Sequence, residues 1–178
     1  METLTPARRY VHMSVRLPLS LKEALRSEAA IRGLNVNSLI EMVLTKFTTY
    51  DIIAEYNSSV QMNASLFKNL LNRASQEDMK NMGRALGPVI VKQAFDFLGY
   101  SHDMNIITER YFKPVGSFSG WYKFNTIYHD QRQILLFSHE YGLNWPSFLA
   151  ENVSGVVRSM GGTIQRAEVA DSLVTVNV

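Results

Sequence analysis

Between Tyr10 and Leu17 apolar and polar side chains alternate. Met13, Val15 and Leu17 fall on one side and His12, Ser14 and Arg16 on the other, the period of a strand with one face buried. Pro18 closes it. Ser20-Leu-Lys-Glu23 has the spacing of a capping box and predicts a helix to about Arg32, with Leu21, Ala24, Leu25 and Ala29 on one face and Gly33 as its stop. Asn35, Asn37 and Ser38 offer N-caps for a second helix, whose Leu39, Ile40, Val43, Leu44 and Phe47 recur at helical spacing. The front of the chain therefore reads strand, helix, helix.

The rest has a different texture. A polar linker is expected at 51–59, a helix from Val60 to about Ser75 on Met62, Leu66, Leu70 and Leu71, and a further helix N-capped by Ser75 that carries Met79, Met82 and Leu86. Gly87-Pro88 is expected to kink or restart that helix before Val89–Leu98, because proline lacks the N–H and crowds the preceding turn. Ser119–Tyr128 and Gln133–His139, rich in aromatic and branched residues, predict an antiparallel hairpin centred on Gln131. A helix from near Trp145 to Gly161-Gly162 follows, then strands Thr163–Val169 and Leu173–Val178 around a turn at Ala170-Asp171. The fold class expected is α+β: a strand-helix-helix unit over residues 1–50, a linker, and an α+β domain over 60–178 in which helices precede a small antiparallel sheet covered by helices on one face.

One strand and two short helices cannot bury their own apolar faces, and a lone strand leaves its backbone N–H and C=O groups unpaired. A second copy resolves both. If the strand pairs antiparallel with its two-fold mate, Met13, Val15 and Leu17 enter a shared core while His12, Ser14 and Arg16 line the outer face of a two-stranded ribbon. A ribbon of that width fits the major groove of B-DNA, where alternate side chains reach base edges.

The strand HMSVRLP, the helix ending at Gly33 and the second helix start NVNSLIEMVL resemble the ribbon-helix-helix (Arc/MetJ-type) DNA-binding family over residues 8–50. The resemblance implies base reading by His12, Ser14 and Arg16, and a phosphate anchor at the start of the second helix, on Asn35, Val36 and Asn37. Histidine and serine give a loose base code, so Arg16 would carry most of the readout. Arg8 and Arg9 would lie along phosphates beside the ribbon. The family's nickel-responsive repressors also carry a C-terminal domain, but their ligand cluster is missing from this chain.

Charge supports the division. Residues 1–50 hold seven basic side chains against four acidic ones, the remainder 11 against 12, and of 19 aromatic residues only Tyr10, Phe47 and Tyr50 lie in the first fifty. The chain has no cysteine, which removes disulfides, thiolate metal sites and Cys nucleophiles, and points to an intracellular, cytoplasmic setting. No stretch is apolar enough to span a membrane, and no apolar segment follows the charges at the N-terminus. His129 and His139 look like metal ligands, but the predicted hairpin pairs 129 with about 133 and 139 with about 123, separating them by about 20 Å. Neither a metal nor another cofactor is expected. No nucleophile elbow, Walker A loop, metalloprotease helix or dinucleotide fingerprint occurs, so no enzymatic activity is expected.

Trp121, Tyr122, Phe124, Tyr128 and Trp145 belong to an aromatic cluster that reads either as the core of the sheet or as the lining of an apolar ligand pocket. The expected function is a homodimeric or higher-order transcriptional regulator, such as a repressor, that binds double-stranded DNA and uses its C-terminal domain to sense a small-molecule effector or to oligomerise. The alternative is an antitoxin-like or partition-type adaptor whose C-terminal domain holds another protein.

Overall fold

The computed structural model describes residues 11–129 and 132–178 and is α+β, with one four-stranded antiparallel sheet. The chain divides into two compact units, Met1–Val43 and Leu44–Val178.

In the first unit, residues 11–18 form no strand, which departs from the expectation for 10–17. A strand exists only against a partner, and among the described residues nothing pairs with this segment. Helix α1 (Leu19–Ile31) begins one residue before Ser20, on Pro18, and no side chain caps it. The expected Ser20–Glu23 capping box is therefore displaced into the first turn and does not form. At the other end Gly33, with φ of +65°, stops α1 as predicted, and the Leu34 N–H reaches back to the Ala29 carbonyl at 2.8 Å. Helix α2 (Val36–Lys46) follows.

In the second unit, a π-helical turn (Phe47–Asp51) and α3 (Ile52–Tyr56) occupy most of what the sequence suggested was a linker at 51–59. Ile53 is buried, so the apolar run Ile52-Ile53-Ala54 outweighs the polar residues behind it. The break falls at 57–63 instead. Helix α4 (Ala64–Leu71) is shorter than the expected 60–75, because the Asn63 side chain caps it by accepting from the Ser65 and Leu66 N–H groups. Helix α5 (Gln76–Leu98) starts on Ser75 as expected, in a reciprocal box with Asp78, and hydrogen bonds from Ser75 hold that carboxyl below its usual range.

Proline does not interrupt α5. Pro88 lies inside an unbroken 23-residue helix, so the predicted restart does not occur. Two features offset its cost. Gly87 has no Cβ to collide with the proline ring, so the residue before proline keeps helical backbone. Pro88 also packs over Gly155 of α8 (Trp145–Ser159), where a Cβ would lie 2.9 Å from its Cγ.

The stretch 104–118, for which the periodicity analysis named no element, is helical: α6 (Met104–Ile107), a second π turn (Thr108–Phe112) and α7 (Lys113–Phe118). Asp103 caps it, accepting from the Ile106 N–H at 2.9 Å, and Ile107, Tyr111, Phe112 and Val115 form its buried stripe. Strands β1 (Lys123–His129), β2 (Arg132–Ser138), β3 (Arg166–Ala170) and β4 (Leu173–Asn177) make a sheet of order β1-β2-β4-β3. His129 pairs with Arg132 and Lys123 with Ser138, one residue off the predicted register. One face of the sheet carries Phe124, Leu135, Phe137, Val174 and Val176, and these join Phe112 of the π turn and Val153, Val156 and Val157 of α8 in a single core.

Candidate nucleic-acid interface

The three residues with an implied base-reading role, His12, Ser14 and Arg16, are exposed and make no hydrogen bond or ion pair among the described residues. Between them Met13, Val15 and Leu17 are also uncovered, at 70%, 63% and 41% exposure, although the alternation assigns them to a buried face. The same holds for the helices behind them. Leu21 and Ile31 of α1 and Val43 of α2 are exposed, and among the described residues of this unit Ala29 and Leu39 are the buried apolar ones. Arg8 and Arg9, expected along phosphates, lie outside the described residues.

Asn35 sits where the phosphate-anchor reading needs it. Its Oδ1 accepts from the Ser38 N–H at 2.8 Å, an N-cap for α2. The N–H groups of Val36 and Asn37 belong to the first turn, ahead of any intrahelical acceptor, and that turn contains no acidic residue. Asn35 and Asn37 are exposed and Val36 is half-buried, so the helix start is open to solvent. Positive helix-end charge and free donors favour an anion there.

The five aromatic residues offered as a ligand pocket do not line one space. Trp145 is a core residue, stacked on Phe148 at 4.7 Å between ring centroids, and its indole N–H donates to the Trp121 carbonyl at 3.1 Å. Tyr122 and Phe124 pack on Phe137, at 5.0 and 5.1 Å. Tyr128 is exposed near the end of β1. The core reading of this cluster is the one the structure favours, because alternate residues of β1 and β2 turn their rings onto the same covered face. Trp121 alone reaches a mainly apolar cavity, shared with Tyr50, Tyr111, Phe148 and Asn152. Of those, Asn152 had a sequence signal: it is a polar residue in the apolar stripe Leu149, Val153, Val156 of α8. Tyr50 had none, and Tyr111 falls on the near-helical spacing 107, 111, 112, 115 that Pro114 and Gly116 obscure.

A second, larger hollow of about 750 Å³ is bordered by Lys68, Lys123, Tyr122, His139 and Glu140. Burial lowers the pKa of His139, which favours the neutral ring. Its Nδ1 accepts from the Tyr141 N–H at 3.4 Å, leaving Nε2 as the protonated nitrogen, buried and without a partner. Among the described residues no group of three or more His, Asp or Glu side chains comes together as a metal site. No helix among them is long and apolar enough to cross a membrane. The chain matches no protein-family model, no curated protein and no solved structure.

Proposed function

We propose that the chain is a homodimeric DNA-binding regulator in which residues 10–17 of two copies pair as an antiparallel ribbon and enter the major groove. The observation that carries this reading is the exposure of Met13, Val15 and Leu17 in a segment whose polar and apolar positions alternate strictly. Alternation is wasted on a free coil. It has a use when one side of the segment packs on apolar surface, and α1 and α2 leave Leu21, Ile31 and Val43 uncovered. A second copy supplies both the missing strand and the missing cover. Pairing then turns His12, Ser14 and Arg16 outward together, with the capped, acid-free start of α2 as the phosphate contact.

Arg16 is the side chain with the reach and fork geometry to read guanine O6 and N7. Arg16→Ala is expected to weaken binding to a selected operator by about 1–3 kcal/mol, to relax preference at one or two base pairs per half-site, and to leave the dimer intact. Fluorescence anisotropy on selected and scrambled duplexes checks this. Wild-type affinity should also fall roughly 10³-fold between 50 and 200 mM salt if about six phosphates are contacted. An Arg16→Ala protein that discriminates between the two duplexes as well as wild type would refute the base-reading assignment.

A further inference from the structure

Both π turns of the second unit border the same cavity: Thr49 and Tyr50 come from Phe47–Asp51 and Tyr111 from Thr108–Phe112. A π turn inserts one residue into a helix and re-aims the side chains around it, and such insertions concentrate at functional sites. The cavity measures about 160 Å³. Ile53, Leu86, Ile90, Val115 and Phe148 supply most of its apolar wall, and none of its lining side chains is charged.

Two polar groups in this wall make no hydrogen bond among the described residues. Asn152 and Tyr111 are only 6% and 9% exposed, yet neither side chain makes a hydrogen bond. Among the described residues the buried side-chain atoms without a partner are Thr108 Oγ1, Tyr122 OH and His139 Nε2, so the Asn152 amide and Tyr111 phenol are not orphaned but remain open to the cavity space. Gly87 makes room for the amide, because a Cβ there would lie 2.3 Å from the Asn152 Nδ2. Burial raises the pKa of Tyr111, so it remains a neutral phenol, able to donate or accept.

We propose that this cavity binds a compact, uncharged aromatic molecule of about six to ten non-hydrogen atoms with one hydrogen-bonding group, which Asn152 and Tyr111 hold. Size sets the first part, since an apolar cavity of about 150 Å³ accommodates benzene. The absence of lining charge excludes an ion, whose desolvation nothing there would offset. The open amide and phenol are the groups that can hold the polar end of such a molecule. The site lies wholly within residues 49–152, so it stands or falls independently of DNA binding.

Calorimetric titration of the full chain with phenol and with toluene tests it, with Trp121 at the cavity edge as a fluorescent reporter. Phenol should bind saturably with a Kd below about 1 mM, and toluene at least about tenfold more weakly. Asn152→Leu should shrink that preference, and Ala54→Leu, which fills the cavity, should abolish binding of both. Should either variant fail to fold by near-ultraviolet circular dichroism, the two ligands on the wild-type chain decide. No saturation by phenol, equal affinity for toluene, or undiminished phenol binding by a folded Ala54→Leu protein would each overturn the proposal.

Discussion

Val15→Asp is expected to yield a chain that neither dimerises nor binds duplex DNA while its second unit stays folded. In a single copy Val15 is exposed, so a carboxylate there costs almost nothing. In the paired ribbon the same position faces the shared core, and the two-fold axis buries two unpaired carboxylates at once. Each costs several kcal/mol, on the order of 3–5, which is comparable to the whole stability of a small dimeric unit. Sedimentation equilibrium checks the mass. Near-ultraviolet circular dichroism checks the second unit, because Trp121 and Trp145 both lie there. A Val15→Asp protein that still sediments as a dimer would contradict the proposed interface.

Gly83→Ala should have the other large effect, on the second unit alone. In an exposed helix this exchange stabilises by about 1 kcal/mol, since alanine loses less backbone freedom. Here the sign should reverse. A Cβ on Gly83 would stand 2.5 Å from the Phe148 carbonyl oxygen and 3.0 Å from the Glu151 Cβ, against backbone that cannot rotate away. Helices α5 and α8 would have to separate, and the strain, typically about 1–3 kcal/mol for one extra methyl, exceeds the propensity gain. The same displacement would loosen Pro88 on Gly155 and weaken the Arg84–Glu151 ion pair at 2.9 Å. Chemical denaturation followed by tryptophan fluorescence measures the change. Equal or greater stability than wild type would show that the seam is not as tight as its geometry indicates.

Gly83, Gly87 and Gly155 also show where sequence reading stops. Aromatic and branched residues located the hairpin, alternation located β4, and helical periodicity located α5 and α8, because each of these has a covered face, whereas β3 is exposed along its length. Ser75 announced its own capping box. Pro88 misled, because a rule about isolated helices takes no account of a neighbour that packs against the ring. The helical stretch 104–118 escaped because Pro114 and Gly116 read as helix breakers, although its buried positions 107, 111, 112 and 115 recur at near-helical spacing. In the candidate sites the division is similar. The alternation of residues 10–17 singled out His12, Ser14 and Arg16, Asn35 stood out as an N-cap, and the DNA roles proposed for them come from the family resemblance. The cavity was not identifiable, since it is bounded by residues from six helical segments and only Asn152 breaks a pattern.

The central claim is that the segment around Ser14 pairs with itself across a two-fold axis. Ser14 is the middle of the three outward positions, so symmetric antiparallel pairing sets it opposite its own copy, with Cα atoms about 4.5–5.5 Å apart, within disulfide reach. The chain has no native cysteine, which makes Ser14→Cys a clean probe. Under mild oxidation of the full-length protein, the account predicts near-complete conversion to a covalent dimer on non-reducing electrophoresis, reversed by thiol. A folded Ser14→Cys protein that remains uncrosslinked would contradict it.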